Sequence, residues 1–310
     1  MARNSPRVSI GMPVFQGGNY MRQAIDSILA QTYEDFELIV SDNASTDDTG
    51  DIVRSYAARD QRVRYHRQEQ NVGSTRNYNR AFELATGEYF RWAAHDDLLA
   101  PECLAKCVEV LDRDPGVVLC QAQARVIDEQ GRVVAEDVPV MRTDAPRAPD
   151  RFIDVIRVSH SCHQQYGLVR AQTLARSPRM GNYPASDRVL LASLALFGRF
   201  HEIREGLFFV RRHAQQSLQA HPDRYALTVW YDPAKRGTLI FPKWRILAGY
   251  WSAVGGAPVS WFDRVRCYAY LVGWARHNAR TLGRDLTTAG KQLLLRSPVI
   301  RTWVTALKHR

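Results

Sequence analysis

"EYFRWAAHDD", Glu88 to Asp97, runs from a β-rich apolar segment straight into His95, Asp96 and Asp97. Two adjacent carboxylates at the end of an apolar run repel each other and lose hydration, so something must offset that cost. The stretches upstream say where this segment sits. "RVSIGMPVF" (7–15) is β-rich and stops at Pro13 and the turn-like "QGGN", and "YMRQAIDSILAQ" then carries Met21, Ala24, Ile25, Ile28 and Leu29 at helical spacing. "FELIVSDNAS" predicts a short strand over 36–40, and "TDDTGDIVRSYAAR" a helix capped by Ser45 or Thr46. "VRYHRQ" reads as a third strand, "GSTRNYNRAFELAT" as a helix closed by Gly87, and the opening segment as the fourth strand. Strands alternating with helices in this way predict an α/β chain whose mainly parallel, Rossmann-like sheet is flanked by helices.

In such sheets ligands bind in the crevice outside the carboxyl ends of the strands. Asp42, Asp96 and Asp97 all fall there. Strand-end acids suit Mg²⁺ or Mn²⁺, because hard divalent cations prefer carboxylate oxygens and bridge to substrate phosphates. The competing reading makes Asp97 the cap of a helix starting near Pro101 and Asp96 a solvated loop acid. The first strand is not followed by Gly-x-Gly-x-x-Gly, and no P-loop occurs, so a nucleotide must be held by acids, a metal and scattered side chains.

"VSIGMPVFQGGNYMRQAIDSILAQTYEDFELIVSDNASTDDT" and "NVGSTRNYNRAFELATGEYFRWAAHDD" together resemble the nucleotide-binding half of the inverting family 2 glycosyltransferases, which have the GT-A fold. The resemblance is dense over residues 7–130 and thins out by about residue 218. It implies that Pro13, Val14 and Phe15 line the base pocket and that Asp42 accepts a hydrogen bond from the base. A carboxylate suits the N–H of uracil or thymine; the alternative makes Asp42 a turn residue closing its strand. Asn71, Gly73 and Arg76 would lie beside the nucleotide, although Arg76 also reads as a solvated helix arginine. In the family's Asp-x-Asp metal motif, Asp96 takes the place of the second acid, Asp97 supports it, and His95 fills the variable middle beside the nucleotide. Ala94 stands where the first acid belongs, which removes one ribose or metal contact.

Further along, "NYPASDRVLLASLALFGRF" predicts a helix beginning near Asp187. The resemblance implies that Asp187 is the catalytic base, with Ser186 in place of the usual preceding Glu; the other reading is an acid favoured by the helix dipole. "FFVRRHAQQS" supplies Arg211 and Arg212 for the diphosphate, His213 as a second metal ligand, and Ser217. His213 also reads as an ordinary packed histidine.

The 310-residue chain carries a net charge of +10, and the excess lies at one end. Residues 201–310 hold 18 Lys and Arg against 6 Asp and Glu, a net +12, so the first 200 are close to neutral. From about residue 223 the sequence is helical in pattern and mixes Trp, Tyr and Arg, as in "SWFDRVRCYAYLVGWARHNAR". We therefore expect a catalytic domain over 1–222 and a helical basic extension over 223–310. The extension reads either as a packed appendage or as amphipathic helices meeting an anionic membrane. Neither a secretory leader nor about 18 consecutive apolar residues is present, and five cysteines without a CxxC pair suit reduced thiols. The expectation is a cytoplasmic enzyme in peripheral contact with the inner face of the membrane. The resemblance implies that it moves sugar from a UDP- or dTDP-linked donor to a saccharide or lipid-linked acceptor in surface polysaccharide or glycolipid synthesis, without a nucleic-acid partner. The alternatives are a nucleotidyltransferase and a non-catalytic nucleic-acid-binding protein.

Overall fold

The structure is a computed structural model that describes residues 5–137, 141–216 and 224–296. Four parallel strands come first: β1 (Val8–Val14), β2 (Phe36–Asp42), β3 (Val63–Arg67) and β4 (Tyr89–Trp92). Between them run α1 (Met21–Leu29), α2 (Thr49–Ala57) and α3 (Ser74–Glu83). The continuous apolar run of β1 matches its burial, since all seven of its residues are covered by helices on both faces.

The second half of the sheet is mixed. After β5 (Leu98–Leu99) and α4 (Cys103–Arg113) come β6 (Val117–Ile127), β7 (Val133–Asp137), α5 (Ala148–Arg157), a 3-10 turn (His163–Tyr166) and β8 (Leu168–Arg170). Then follow α6 (Ala171–Arg176), α7 (Ser186–Phe197) and β9 (Arg199–Arg211). The strand order is β3-β2-β1-β4-β8-β6-β9-β5, with β7 added on β6. β8 is antiparallel between β4 and β6, which restores β6 and β9 to the direction of β1.

The last described helices are α8 (Arg224–Tyr231), α9 (Pro242–Gly256), α10 (Trp261–His277) and α11 (Ala279–Arg296). They do not stand apart. Ile246, Tyr250 and Val254 of α9 and Cys267 and Leu271 of α10 share one core cluster with Phe90 and Trp92 of β4 and with Leu190, Leu191 and Leu194 of α7. Each large side chain so buried contributes about 1.5–3 kcal/mol. The expected boundary at 222/223 itself lies outside the described residues, as does Ser217.

Three local expectations are corrected. α2 starts at Thr49 behind Asp48, later than the Ser45 or Thr46 cap, because Ser45 Oγ is taken by the Gln16 N–H (2.9 Å) and Asp47 accepts from the Thr49 N–H (3.2 Å). Gly87 does not close α3, which ends at Glu83. A Cβ there would come within 2.7 Å of Ser9 N and 2.9 Å of Arg7 O, so glycine is needed for close approach to β1. Asp97 does not cap α4, whose N-cap is Glu102. All five cysteines are buried and free.

Candidate active site

β4 ends in the core at Trp92, and the chain then turns outward through His95 to Asp96. Asp96 Oδ2 lies 2.8 Å from His213 Nε2, a contact between residues 117 positions apart. The two expected metal ligands are thus brought together. Behind them Asp97 Oδ1 accepts the Arg211 backbone N–H (2.9 Å). Burial, and then the charge of Asp96, push the Asp97 carboxyl well up from its ordinary value. Burial pushes Asp96 up, but its hydrogen bond to His213, the charges of His95 and His213 and a backbone hydrogen bond together hold it below its ordinary value.

Arg211 organises this corner. Its Nε donates to Asp96 O (2.9 Å), Nη1 to Asp128 O (3.2 Å) and Glu129 O (3.1 Å), and Nη2 to Gln23 Oε1 (2.7 Å). The guanidinium lies 4.5 Å from the Tyr20 ring centroid, and Tyr20 in turn packs against His213. With the residue fully buried and its donors engaged, the expected clamp on diphosphate is corrected: Arg211 fixes the backbone that carries the acids. Arg212, next in sequence, is exposed.

At the ends of β1 and β2, Asn77 of α3 donates to Ser41 O (2.7 Å) and Val14 O (3.3 Å) and accepts from the Ser41 hydroxyl (2.7 Å). Pro13 and Val14 are buried there and Phe15 is exposed. Asp42 is fully buried. Its carboxylate accepts the Ser45 N–H (2.9 Å) and the Tyr65 hydroxyl (2.7 Å), and Arg67 Nε lies 3.6 Å from the oxygen that Tyr65 holds, so the turn-closing alternative fits its surroundings. Asn71 accepts from Asn43 Nδ2 (3.0 Å) and from the Gly73 N–H (2.9 Å), which shapes the loop before α3. Arg76 is exposed. Gly73 has φ 89°, and a Cβ on it would sit 2.6 Å from both Pro233 Cδ and Tyr231 O. The chain just after α8 therefore closes on this loop.

Asp187 stands part-buried in the first turn of α7. It does not cap the helix; Oδ1 accepts the adjacent Arg188 N–H (2.8 Å). Burial raises its carboxyl above the ordinary value despite that bond and despite the Cys162 thiol lying against it. Ser186 Oγ is buried without a partner among the described residues. Three tyrosines that sequence reasoning missed surround this region. Tyr78 and Tyr166 are linked hydroxyl to hydroxyl at 3.1 Å, and burial raises Tyr78 to about 12, with the charges of Asp96, Asp97 and Asp187 adding to it. Tyr231, at the end of α8, is raised by burial and then by Asp187. Left-handed backbone at non-glycine residues occurs at Gln16 and Ala44 (φ 56° and 62°) by the nucleotide end, at Cys162 and Ala185 (φ 59° and 65°) by Asp187, and also at Arg179 (φ 54°). Such strain costs about 1–3 kcal/mol per residue and concentrates at functional sites.

The family model "Glycosyl transferase family 2" matches residues 9–163, half of the chain. The chain belongs to glycosyl transferase family 2. Among its relatives, an uncharacterized glycosyltransferase of Rickettsia felis is 39% identical over 130 residues, covering 41% of this chain and 21% of that protein. The glycosyltransferase GlyG of Streptococcus pneumoniae is 31% identical over 116 residues, 37% of this chain and 38% of that one. The match thus spans less than half the length of either curated relative. Residues 1–349 of S. aureus TarS superpose with a TM-score of 0.65 at 16% identity, covering 94% of this chain and 81% of that one. The mannosyltransferase PcManGT of Pyrobaculum calidifontis, solved with GDP-Man and Mn²⁺, gives 0.51 at 18%, over 95% and 89%. At these identities the likeness is one of fold, and that fold is GT-A.

Proposed function

We propose that this glycosyltransferase moves a sugar, with inversion, from a nucleoside-diphosphate donor to an acceptor hydroxyl of a saccharide or lipid-linked glycan. The observation that carries the reading is the Asp96–His213 pair at the carboxyl end of the sheet.

The pair suits a divalent cation. A carboxylate and an imidazole 2.8 Å apart are spaced much like neighbouring ligands of an octahedral ion, about 3 Å apart for bonds of roughly 2.1 Å. Among the described residues no group of three or more His, Cys, Asp or Glu side chains surrounds a common point, so most positions would be left for diphosphate oxygens and water. Bound there, Mg²⁺ or Mn²⁺ would neutralise charge on the departing diphosphate. Two proteins of the same fold are consistent with both parts of this picture: TarS has been solved with UDP-GlcNAc and PcManGT with Mn²⁺.

The residues of the chain supply the rest. Asp187 takes the acceptor proton as the hydroxyl oxygen attacks the anomeric carbon. Exposed Arg212, followed by His213, offers its guanidinium to the diphosphate. Pro13, Val14, Phe15, Asn71, Gly73, Arg76 and His95 frame the nucleotide. Asp42 holds the turn after β2, and a uracil or thymine N–H reaches it by taking the place of the Tyr65 hydroxyl.

A panel of nucleotide sugars tests the reading. With UDP- or dTDP-sugar, Mg²⁺ or Mn²⁺ and an acceptor glycan, the expected product is nucleoside diphosphate. Release of pyrophosphate would mark a nucleotidyltransferase instead. Tyr65→Phe removes the hydroxyl donor on Asp42 Oδ2, leaving only Arg67 Nε at 3.6 Å, and is expected to tighten UDP binding severalfold, roughly the worth of one hydrogen bond. Unchanged UDP affinity, measured by calorimetry, would restrict Asp42 to the turn.

A further inference from the structure

Along α10, Trp261, Val265, Tyr268 and Val272 recur at steps of four, three and four residues, which puts them on one side of the helix. Trp261 is 68% exposed and the adjacent Phe262 77%. Tyr268 packs on Trp251 of α9 with ring centroids 4.3 Å apart, and Trp251 and Trp244 are exposed as well. Trp244, Leu247, Trp251, Val272 and Leu286 then line an apolar groove of about 500 Å³ shared by α9, α10 and α11. Exposed aromatic rings gathered beside an apolar groove mark a surface that meets a partner or a membrane.

Its electrostatic setting selects the occupant. Residues 242–296 contain nine Lys and Arg against two Asp. Both acids are engaged within the protein: Asp285 accepts the Lys243 backbone N–H (2.7 Å), and Asp263 accepts from the Ser260 hydroxyl (2.9 Å) and from Arg147 (3.3 Å). Arg276 lines the groove itself, and Arg245, Arg280 and Arg284 are exposed elsewhere on the same three helices. A second copy apposed through this face would set like charges against each other. An anionic lipid surface answers both features, with Trp rings at headgroup depth and arginines among the phosphates. None of the described helices is long and apolar enough to cross a membrane, so this contact is one of adsorption.

We infer that the outward face of α9, α10 and α11 docks the protein on an anionic lipid bilayer, with Trp261 and Phe262 entering the interface. The test is flotation of the full chain with vesicles of phosphatidylcholine alone and of phosphatidylcholine with about one third phosphatidylglycerol. Binding is expected on the anionic vesicles only, weakening as salt rises. A Trp261→Ser/Phe262→Ser double variant is expected to bind them at least about 10-fold less tightly, with unchanged melting temperature and UDP affinity. No binding to anionic vesicles at low salt, or equal binding to both kinds, would overturn the inference. So would a concentration-dependent dimer that the double variant abolishes. Lipid binding is read without donor or acceptor, so its failure is distinct from failure of the transfer reading.

Discussion

Asp187→Asn is expected to lose about 10²–10⁴-fold in transfer, the contribution of a positioned base, while melting at a higher temperature than the parent at neutral pH. The two halves share one cause. Burial raises the Asp187 carboxyl above its ordinary value, so the folded chain holds that proton more tightly than the unfolded chain does. Stability from this group is therefore fully present below the ordinary carboxylate range. It falls as pH rises through the folded-state value, because the ionised form is poorly hydrated where it sits. Asparagine removes that loss, so parent and variant should match in acid and diverge toward neutrality. The acid limb of the parent's transfer rate should lie above the ordinary aspartate value and be missing from the residual activity of the variant. Rates and melting curves across pH, with UDP affinity measured on the same preparations, check all three points. A well-folded Asp187→Asn with near-parental transfer would remove Asp187 as the base.

Asp96→Asn addresses the other half of the site. The amide can still accept from His213, so the corner should remain folded, yet the one carboxylate facing that imidazole is gone. Metal affinity in the presence of UDP should fall by at least roughly 10-fold, and transfer should fall with it; His213→Ala should act in the same direction. Calorimetric titration with Mn²⁺ reads the first effect without relying on turnover. Asp97→Asn is expected to be milder toward metal, because Asp97 accepts the Arg211 N–H and supports the loop from behind. Should Asp97→Asn abolish metal binding while Asp96→Asn spares it, the two acids exchange roles.

The parallel half of the sheet was legible because β1 to β4 alternate with helices whose apolar residues keep a regular period, and local patterning carries that information. β5, two residues long, gave no such signal, and its pairing with β9 depends on residues more than a hundred positions away. Asp96 and His213 were both nominated from sequence, but only the fold sets them 2.8 Å apart. Arg211 was misread as a ligand clamp because an arginine beside a histidine at a strand end looks the same whether its guanidinium points out or in. Its partners are the carbonyls of 96, 128 and 129, which no side-chain pattern advertises. Tyr78, Tyr166 and Tyr231 were missed for a related reason: an isolated tyrosine on a helix or turn reads as packing until its hydroxyl is located.

The core shared by β4, α7, α9 and α10 also constrains how acceptor preference can be re-engineered or can diverge. The helix bearing Asp187 leans on Ile246, Tyr250 and Val254 from the basic C-terminal segment, while Tyr231 O and Pro233 rest on the loop at Gly73. Chimeras joined near residue 222 would pair one parent's α7 with another parent's wall, leaving cavities or overlaps where side chains now interlock. Recombination near residue 222 should then yield working hybrids only when the two parents carry matching side chains on α7 and α9, so that both faces of this contact are inherited together.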